Sequence, residues 1–217
     1  MRAKSPTISV WSCRCGCSTD GLDATYTLLR QLTLPVAAVT TSADGRRNGL
    51  IVNSAQRASL VLERPRISLY VSKTNVSHDL VHASGLFGVH LLRTDQWDVI
   101  RALGLQSARD VPDKLTAVET RIGTTGCPML SDVIAGFECR VINAMDAGGA
   151  TFFLGDVIDV QSGQPGEVMT SIYFRSHAPA DLLAAYEERL RLAQHALASH
   201  PAEVQRAVSW QGPQVGA

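Results

Sequence analysis

Lys73-Thr74-Asn75-Val76-Ser77 sets a cation, two hydroxyls and an amide side by side, where the strand-like run Ile67 to Ser72 gives way to a helical pattern. The first N–H groups of a helix lack intrahelical partners and carry the positive end of its dipole, so an anion there gains hydrogen bonds and charge attraction together. Lys73, Thr74, Asn75 and Ser77 are therefore the expected ligands of a phosphate group. The same residues also suit a plain helix start, with Asn75 or Ser77 as cap and Lys73 in solvent. A second polar cluster, Asn53-Ser54-Ala55, ends a short apolar run. Small side chains there let a flat heteroaromatic ring approach the backbone while amides meet its polar edge. A strand-end turn, with Asn53 and Ser54 satisfying local backbone groups, accounts for that cluster equally well.

Composition removes several classes of function. The chain has 217 residues and a mass of 23.3 kDa, enough for one domain with a sizeable core. Twenty basic and twenty acidic side chains leave no net field to select a polyanion, so nucleic acid is not an expected partner. No run approaches the roughly 20 apolar residues of a bilayer span, and the N-terminus lacks the apolar core of a secretory signal. A cytoplasmic protein without membrane contact is expected. Three of the five cysteines, Cys13, Cys15 and Cys17, crowd together while Cys127 and Cys139 stand apart. Structural zinc sites space paired cysteines more widely and add a second half downstream, which is missing here, so no metal is expected.

The elements that must position the polar clusters read as follows. Residues 1–22 lack periodicity and form an extension, and a short helix is expected from Asp23 to Leu32. Pro35 to Ser42 is small and β-branched, Asp44-Gly45 supplies a hairpin turn, and Asn48 to Val52 returns antiparallel. Ile67 to Ser72 and Leu86 to Leu92 are strands flanking the short helix that Gly85 terminates, and Asp95 to Leu103 is a second helix. Ala108 to Gly126 is a polar excursion. Val133 to Met145 and Thr151 to Gln161 form a long hairpin through Asp146-Ala147-Gly148-Gly149-Ala150, and Met169 to Phe174 reads as one more strand. After Pro179 a helix carries the stripe Leu182, Leu183, Tyr186, Leu190, Ala193 and Leu197, with Glu187 and Arg191 at pairing distance. The chain thus divides into an extension (1–22), a main domain (23–178), a terminal helix (179–200) and a tail (201–217). Glycine clusters only in hairpins, which argues against a doubly wound dinucleotide fold.

Taken in order, Pro35-Val-Ala-Ala-Val-Thr-Thr, Asp44-Gly45, Asn48-Gly49, Asn53-Ser54, Ser59 and Pro65 resemble the opening of the flavin reductase-like FMN-binding family. Lys73-Thr-Asn-Val-Ser-His-Asp-Leu is similar to that family's basic residue, hydroxyl pair and Thr-His-Glu-Leu run. Gly85-Leu-Phe-Gly-Val-His-Leu-Leu, Phe137-Glu-Cys-Arg-Val, Phe153-Leu-Gly-Asp-Val and Tyr173-Phe-Arg follow in the expected order. The resemblance covers residues 30–176. It implies a mainly β fold with peripheral helices, a split β-barrel, assembled as a homodimer. It also implies FMN, with FAD as the alternative, bound through its phosphate at Lys73, Thr74, Asn75 and Ser77. The ring and ribityl chain would then lie against Asn53, Ser54, Ala55, Gln56 and Ser59, where the stretch from Asn48 to Pro65 runs two residues longer than the usual pattern.

One departure bears on activity. Where many relatives carry Gly-Asp-His, associated with the nicotinamide side of the flavin, this chain has Gly148-Gly149-Ala150. His78, His82, His90 and His177 are the candidate substitutes, with His177 foremost, and His90 stands where an asparagine is commoner. The resemblance implies a flavin reductase oxidising NAD(P)H, as the small component of a two-component monooxygenase. The missing acid and imidazole favour the alternative, a tightly held FMN that transfers electrons or oxidises a substrate without nicotinamide. Because hydride transfer is the cofactor's chemistry, no catalytic side chain is expected.

Overall fold

A computed structural model describes residues 34–199 together with Leu29 and Leu32. The cysteines of the extension and the tail from residue 200 onward lie outside these residues, as does the helix expected over Asp23 to Leu32 apart from those two leucines.

The first hairpin pairs β1 (Ala37–Ala43) with β2 (Arg46–Val52). Its turn takes Asp44 to φ 51° and Gly45 to φ 75°, the left-handed pair that suits the right-handed twist of the flanking strands. A short β3 (Gln56–Arg57) leads into β4 (Arg66–Ser72) and then α1 (Val76–Ser84), which Gly85 ends at φ 66°. β5 (Leu86–Leu91) follows, then α2 (Trp97–Ile100), which widens into a π-helical turn over Arg101–Leu105. A 3₁₀ turn (Lys114–Ala117) and the small ladder β6 (Thr120–Ile122) and β7 (Pro128–Leu130) occupy the polar excursion. The long hairpin is β8 (Ala135–Asp146) and β9 (Ala150–Ser162), and the chain closes with α3 (Ser171–His177) and α4 (Ala180–Ala198).

Seven strands form one antiparallel sheet in the order β2-β1-β5-β8-β9-β4-β3. On one face Leu69, Phe87 and Phe153 are buried, and among the described residues the contributors there outside the strands are Ala55 and Val81. The register shifts at Glu138/Cys139 and Val141/Asn143 place a bend on β8. Gly155 packs closely on this face, since a Cβ there would stand 2.7 Å from the Phe87 ring. The opposite face carries a second core in which Leu92, Leu103, Leu115 and Met169 meet Phe174 and Leu182 of α3 and α4. No described helix is long and apolar enough to cross a membrane.

Two expectations change. The strand expected over Met169 to Phe174 is a pair of isolated bridges, Arg93 to Val168 and Pro35 to Thr170, followed at once by a helix. Thr170 caps that helix, its hydroxyl accepting from the Tyr173 N–H at 3.1 Å, and the helical turn brings Phe174 onto the Tyr186 ring at 5.2 Å. Capping and burial together outweigh the β-like composition. We expect Thr170→Ala to lose about 1 kcal/mol in urea unfolding, and an unchanged midpoint would deny the cap its role. On α4, Arg191 engages Glu188 at 2.7 Å, one residue nearer than the expected partner Glu187.

The polar excursion is held in place by Glu138. This carboxylate is 1% exposed and accepts from the Thr124 N–H at 2.7 Å, the Thr125 N–H at 2.8 Å and the Thr125 hydroxyl. Gly123 is required beside it, because a Cβ there would stand 2.6 Å from the carboxylate.

Candidate functional site

A cavity of about 430 Å³ opens where β2, the start of α1, the π-helical turn and α4 converge. Asn53, Thr74, Asn75 and Ser77 all line it. Asn75 is the first residue of the helix start by its extended backbone, but its side chain makes no capping bond. Ser77 does not cap either, because its hydroxyl faces Asn48 and accepts from Asn48 Nδ2 at 2.9 Å. Both side chains that suited a plain helix cap are thus turned to the cavity wall.

Asn48 is the most informative residue here. It is 2% exposed, it lines the cavity, and its Oδ1 has no hydrogen-bond partner, alone in that respect among the buried side-chain atoms of the described residues. A buried acceptor without a donor costs about 1–3 kcal/mol, so its retention points to a donor brought by a ligand. With the phosphate-type groups of Thr74 to Ser77 close by and the apolar side chains of Leu50, Val52 and Leu105 on the walls, the cavity suits a planar, hydrogen-bonding ring joined to a phosphate.

The remaining expected ligands lie elsewhere. Lys73 Nζ pairs with Asp146 Oδ1 at 2.7 Å, and its backbone N–H donates to Gly149 O at 3.0 Å, so this lysine clasps the β8–β9 turn beside the cavity. Ser54 ties β2 to β4, its hydroxyl donating to Tyr70 O at 2.9 Å and accepting from Tyr70 N at 3.2 Å. Ala55 is buried in the sheet core, Gln56 is exposed on β3 opposite Ser68, and the Ser59 hydroxyl accepts from Val61 N at 3.0 Å in its own turn. A cation does reach the segment expected to bind phosphate: Arg109 lines the cavity and donates from Nη1 to Thr74 O at 3.0 Å. Lys114, Arg175 and Arg189 line the cavity too, and among the described residues no aspartate or glutamate does.

Sequence reasoning missed Asn48 and Arg109 as site residues. For Asn48 a signal existed, since an amide shares the buried face of β2 with Leu50 and Val52 at period two. Arg109 had none, because a loop without periodicity carries no information about where its side chains end.

None of the four histidines lines the cavity. His78 bridges Asp79 Oδ1 and Thr151 Oγ1, each at 2.8 Å, and His177 stacks on Tyr173 with centroids 4.0 Å apart. His90, expected as a sign of an altered pocket, is a wholly buried brace in the second layer. Its Nε2 accepts from Leu130 N at 3.1 Å, which leaves the proton on Nδ1 to donate to Ala38 O at 3.2 Å.

The family comparison is specific: the flavin reductase like domain matches residues 29–180, and this chain belongs to that family. It is 33% identical over 123 residues to a Rhizobium meliloti protein named a probable flavin reductase, covering 56% of this chain and 38% of that one. It is 31% identical over 130 residues to an FMN reductase (NADH) of Agrobacterium fabrum, covering 60% of this chain and 71% of the relative. The fold matches that of the Streptomyces globisporus NADH:FAD oxidoreductase with a TM-score of 0.63 at 24% identity, over 70% of this chain and 89% of that one. Against the Rhizobium relative, then, this chain spans little more than a third of the length.

Proposed function

We propose that this chain is an NAD(P)H-dependent flavin oxidoreductase that binds FMN in the Asn48 to Asn53 and Thr74 to Ser77 cavity and releases reduced flavin to a separate acceptor enzyme such as a monooxygenase. The observation that carries it is the unpaired, buried Asn48 Oδ1 facing a cavity that also gathers Thr74, Asn75 and Ser77. Family membership and the names of the relatives support the same reading.

The residues present fit the cofactor. Asn48 Oδ1 accepts an N–H or hydroxyl of the ligand, and Thr74, Asn75, Ser77 and the first N–H groups of α1 meet its phosphate, with Arg109 adding charge from the loop. Leu50, Val52 and Leu105 keep water from the ring. Flavin, when bound, supplies the hydride chemistry itself. No side chain on the cavity wall has to hold or move a proton, and the histidine-free lining is consistent with that.

The split barrel and the homodimer belong to this proposal. Met145, Phe152 and Tyr70 stand in one cross-strand row on the outer face of β8, β9 and β4, exposed by 51%, 39% and 39%. A contiguous apolar row of this kind is a contact surface, and a second copy is the occupant that the resemblance implies.

The test is NADH and NADPH oxidation by FMN-loaded protein, measured against free FMN at the same concentration. Oxidation well above the free-flavin rate with either donor is expected. Retention of FMN through gel filtration with no oxidation of either donor would replace this reading by electron transfer without nicotinamide.

A further inference from the structure

The walls of the cavity are anchored unevenly. α1 is held by Val81 in the sheet core and the π-helical turn by Leu103 in the second core. The remaining wall is α4, which contributes Tyr186, Arg189, Leu190, Ala193 and Ala196 from one face. Its buried contacts lie at its beginning. Leu182 is fully buried, Tyr186 meets the Phe174 ring at 5.2 Å, and Asp181 Oδ2 accepts from Arg101 Nη1 at 2.8 Å. Beyond Leu182 no described residue of α4 is buried, and Leu192 lines the cavity while staying 51% exposed. Helical turns with so little buried surface open at a small fraction of the cost of global unfolding. The far end of α4 rests on the β8–β9 turn. Leu197 lies over Gly149, where a Cβ would stand 3.2 Å from Leu197 Cδ2 and 3.4 Å from Cδ1, so a side chain at 149 presses on Leu197. The same turn is tied to the segment expected to bind phosphate, because Gly149 O accepts from Lys73 N at 3.0 Å.

We propose that residues 189–198 of α4 form a lid on the cavity, latched by Leu197 on Gly149, and that this latch sets how fast flavin enters and leaves. The inference rests on the flavin assignment above. The matched family region ends at residue 180, so the lid belongs to this chain's own terminal helix. Opening requires only that Leu197 leave Gly149 and that exposed helical turns unwind. The Asn48–Ser77 and Arg109–Thr74 bonds lie on other elements and persist, so the groups that meet the ligand are the same in both forms. Entry and exit both pass through the open form, whereas the latch is made with and without ligand and cancels from Kd. A weaker latch therefore raises the association and dissociation rates by one common factor.

The experiment follows FMN association and dissociation by stopped-flow flavin fluorescence in the wild type, Leu197→Ala and Gly149→Val, neither of which alters a residue lining the cavity. Each variant is expected to raise both rates about fivefold, the scale of a half-buried leucine contact, with Kd kept within about twofold. Unchanged rates in either variant overturn the proposal. So does faster dissociation alone with an equal rise in Kd, which would make α4 an ordinary binding wall. Amide exchange over residues 193–198 gives a reading that needs no flavin: it is expected to be faster in Leu197→Ala than in the wild type, and equal exchange overturns the latch. A wild type that binds no FMN sinks the flavin assignment, while the exchange result still decides on the latch.

Discussion

Ser77→Ala combined with Arg109→Ala is expected to weaken FMN binding about 100-fold, since it removes a hydroxyl and a charge-assisted donor from one phosphate. The two side chains act by different routes. Ser77 Oγ is also the acceptor that orients Asn48, so its loss frees the whole Asn48 amide and misaligns the one buried oxygen that awaits a donor. Arg109 supplies charge at the loop, and being exposed it leaves stability nearly untouched. Lys73→Ala is the informative contrast. Because Lys73 Nζ is held by Asp146 beside the cavity, its removal should lower stability slightly and change FMN affinity less than about fivefold. Titration of flavin fluorescence against the three variants decides the matter, and a Lys73→Ala loss larger than that of the double variant would move the phosphate to the β8–β9 turn.

The second large effect concerns His90. Burial lowers its pKa from 6.5 to about 4. The folded protein therefore holds the neutral ring across a range in which the unfolded chain binds a proton. Stability is complete above pH 6.5 and is lost as pH falls from there towards 4, by up to about 3 kcal/mol at 1.36 kcal/mol per pH unit of displacement. His90→Asn should lack that slope. His90→Ala should cost about 3 kcal/mol even at pH 8, because it leaves the buried Leu130 N–H unpaired and opens a void. Urea unfolding at pH 4.5, 6.5 and 8 reads both statements. A wild-type slope equal to that of His90→Asn would assign the acid sensitivity to another group.

Much of the architecture was legible because local chemistry and tertiary packing agree. Asp44-Gly45 calls for a left-handed turn and receives one, Gly85 ends α1 in the left-handed region, and Gly148, at φ 82°, reverses the β8–β9 hairpin. The terminal stripe reads as a packing face and Leu182 is fully buried. Met169 to Phe174 misled because its β-branched and aromatic residues suit a strand, while the Thr170 cap and the Phe174 contact with Tyr186, nonlocal and invisible to periodicity, favour a helix.

The candidate site divides in the same way. From the residues alone came the phosphate-type segment Thr74 to Ser77 at a helix start, since that signal is local: the hydroxyls, the amide and the unpaired N–H groups are neighbours in the chain. Which cation faces that segment was a tertiary decision. Lys73 is adjacent in sequence and pairs with Asp146, while Arg109, brought back by a loop 35 residues away, bonds to Thr74 O. The unpaired Asn48 oxygen likewise acquires meaning only when β2, the π-helical turn and α4 enclose one space, because burial is a property of that enclosure and of no residue within it.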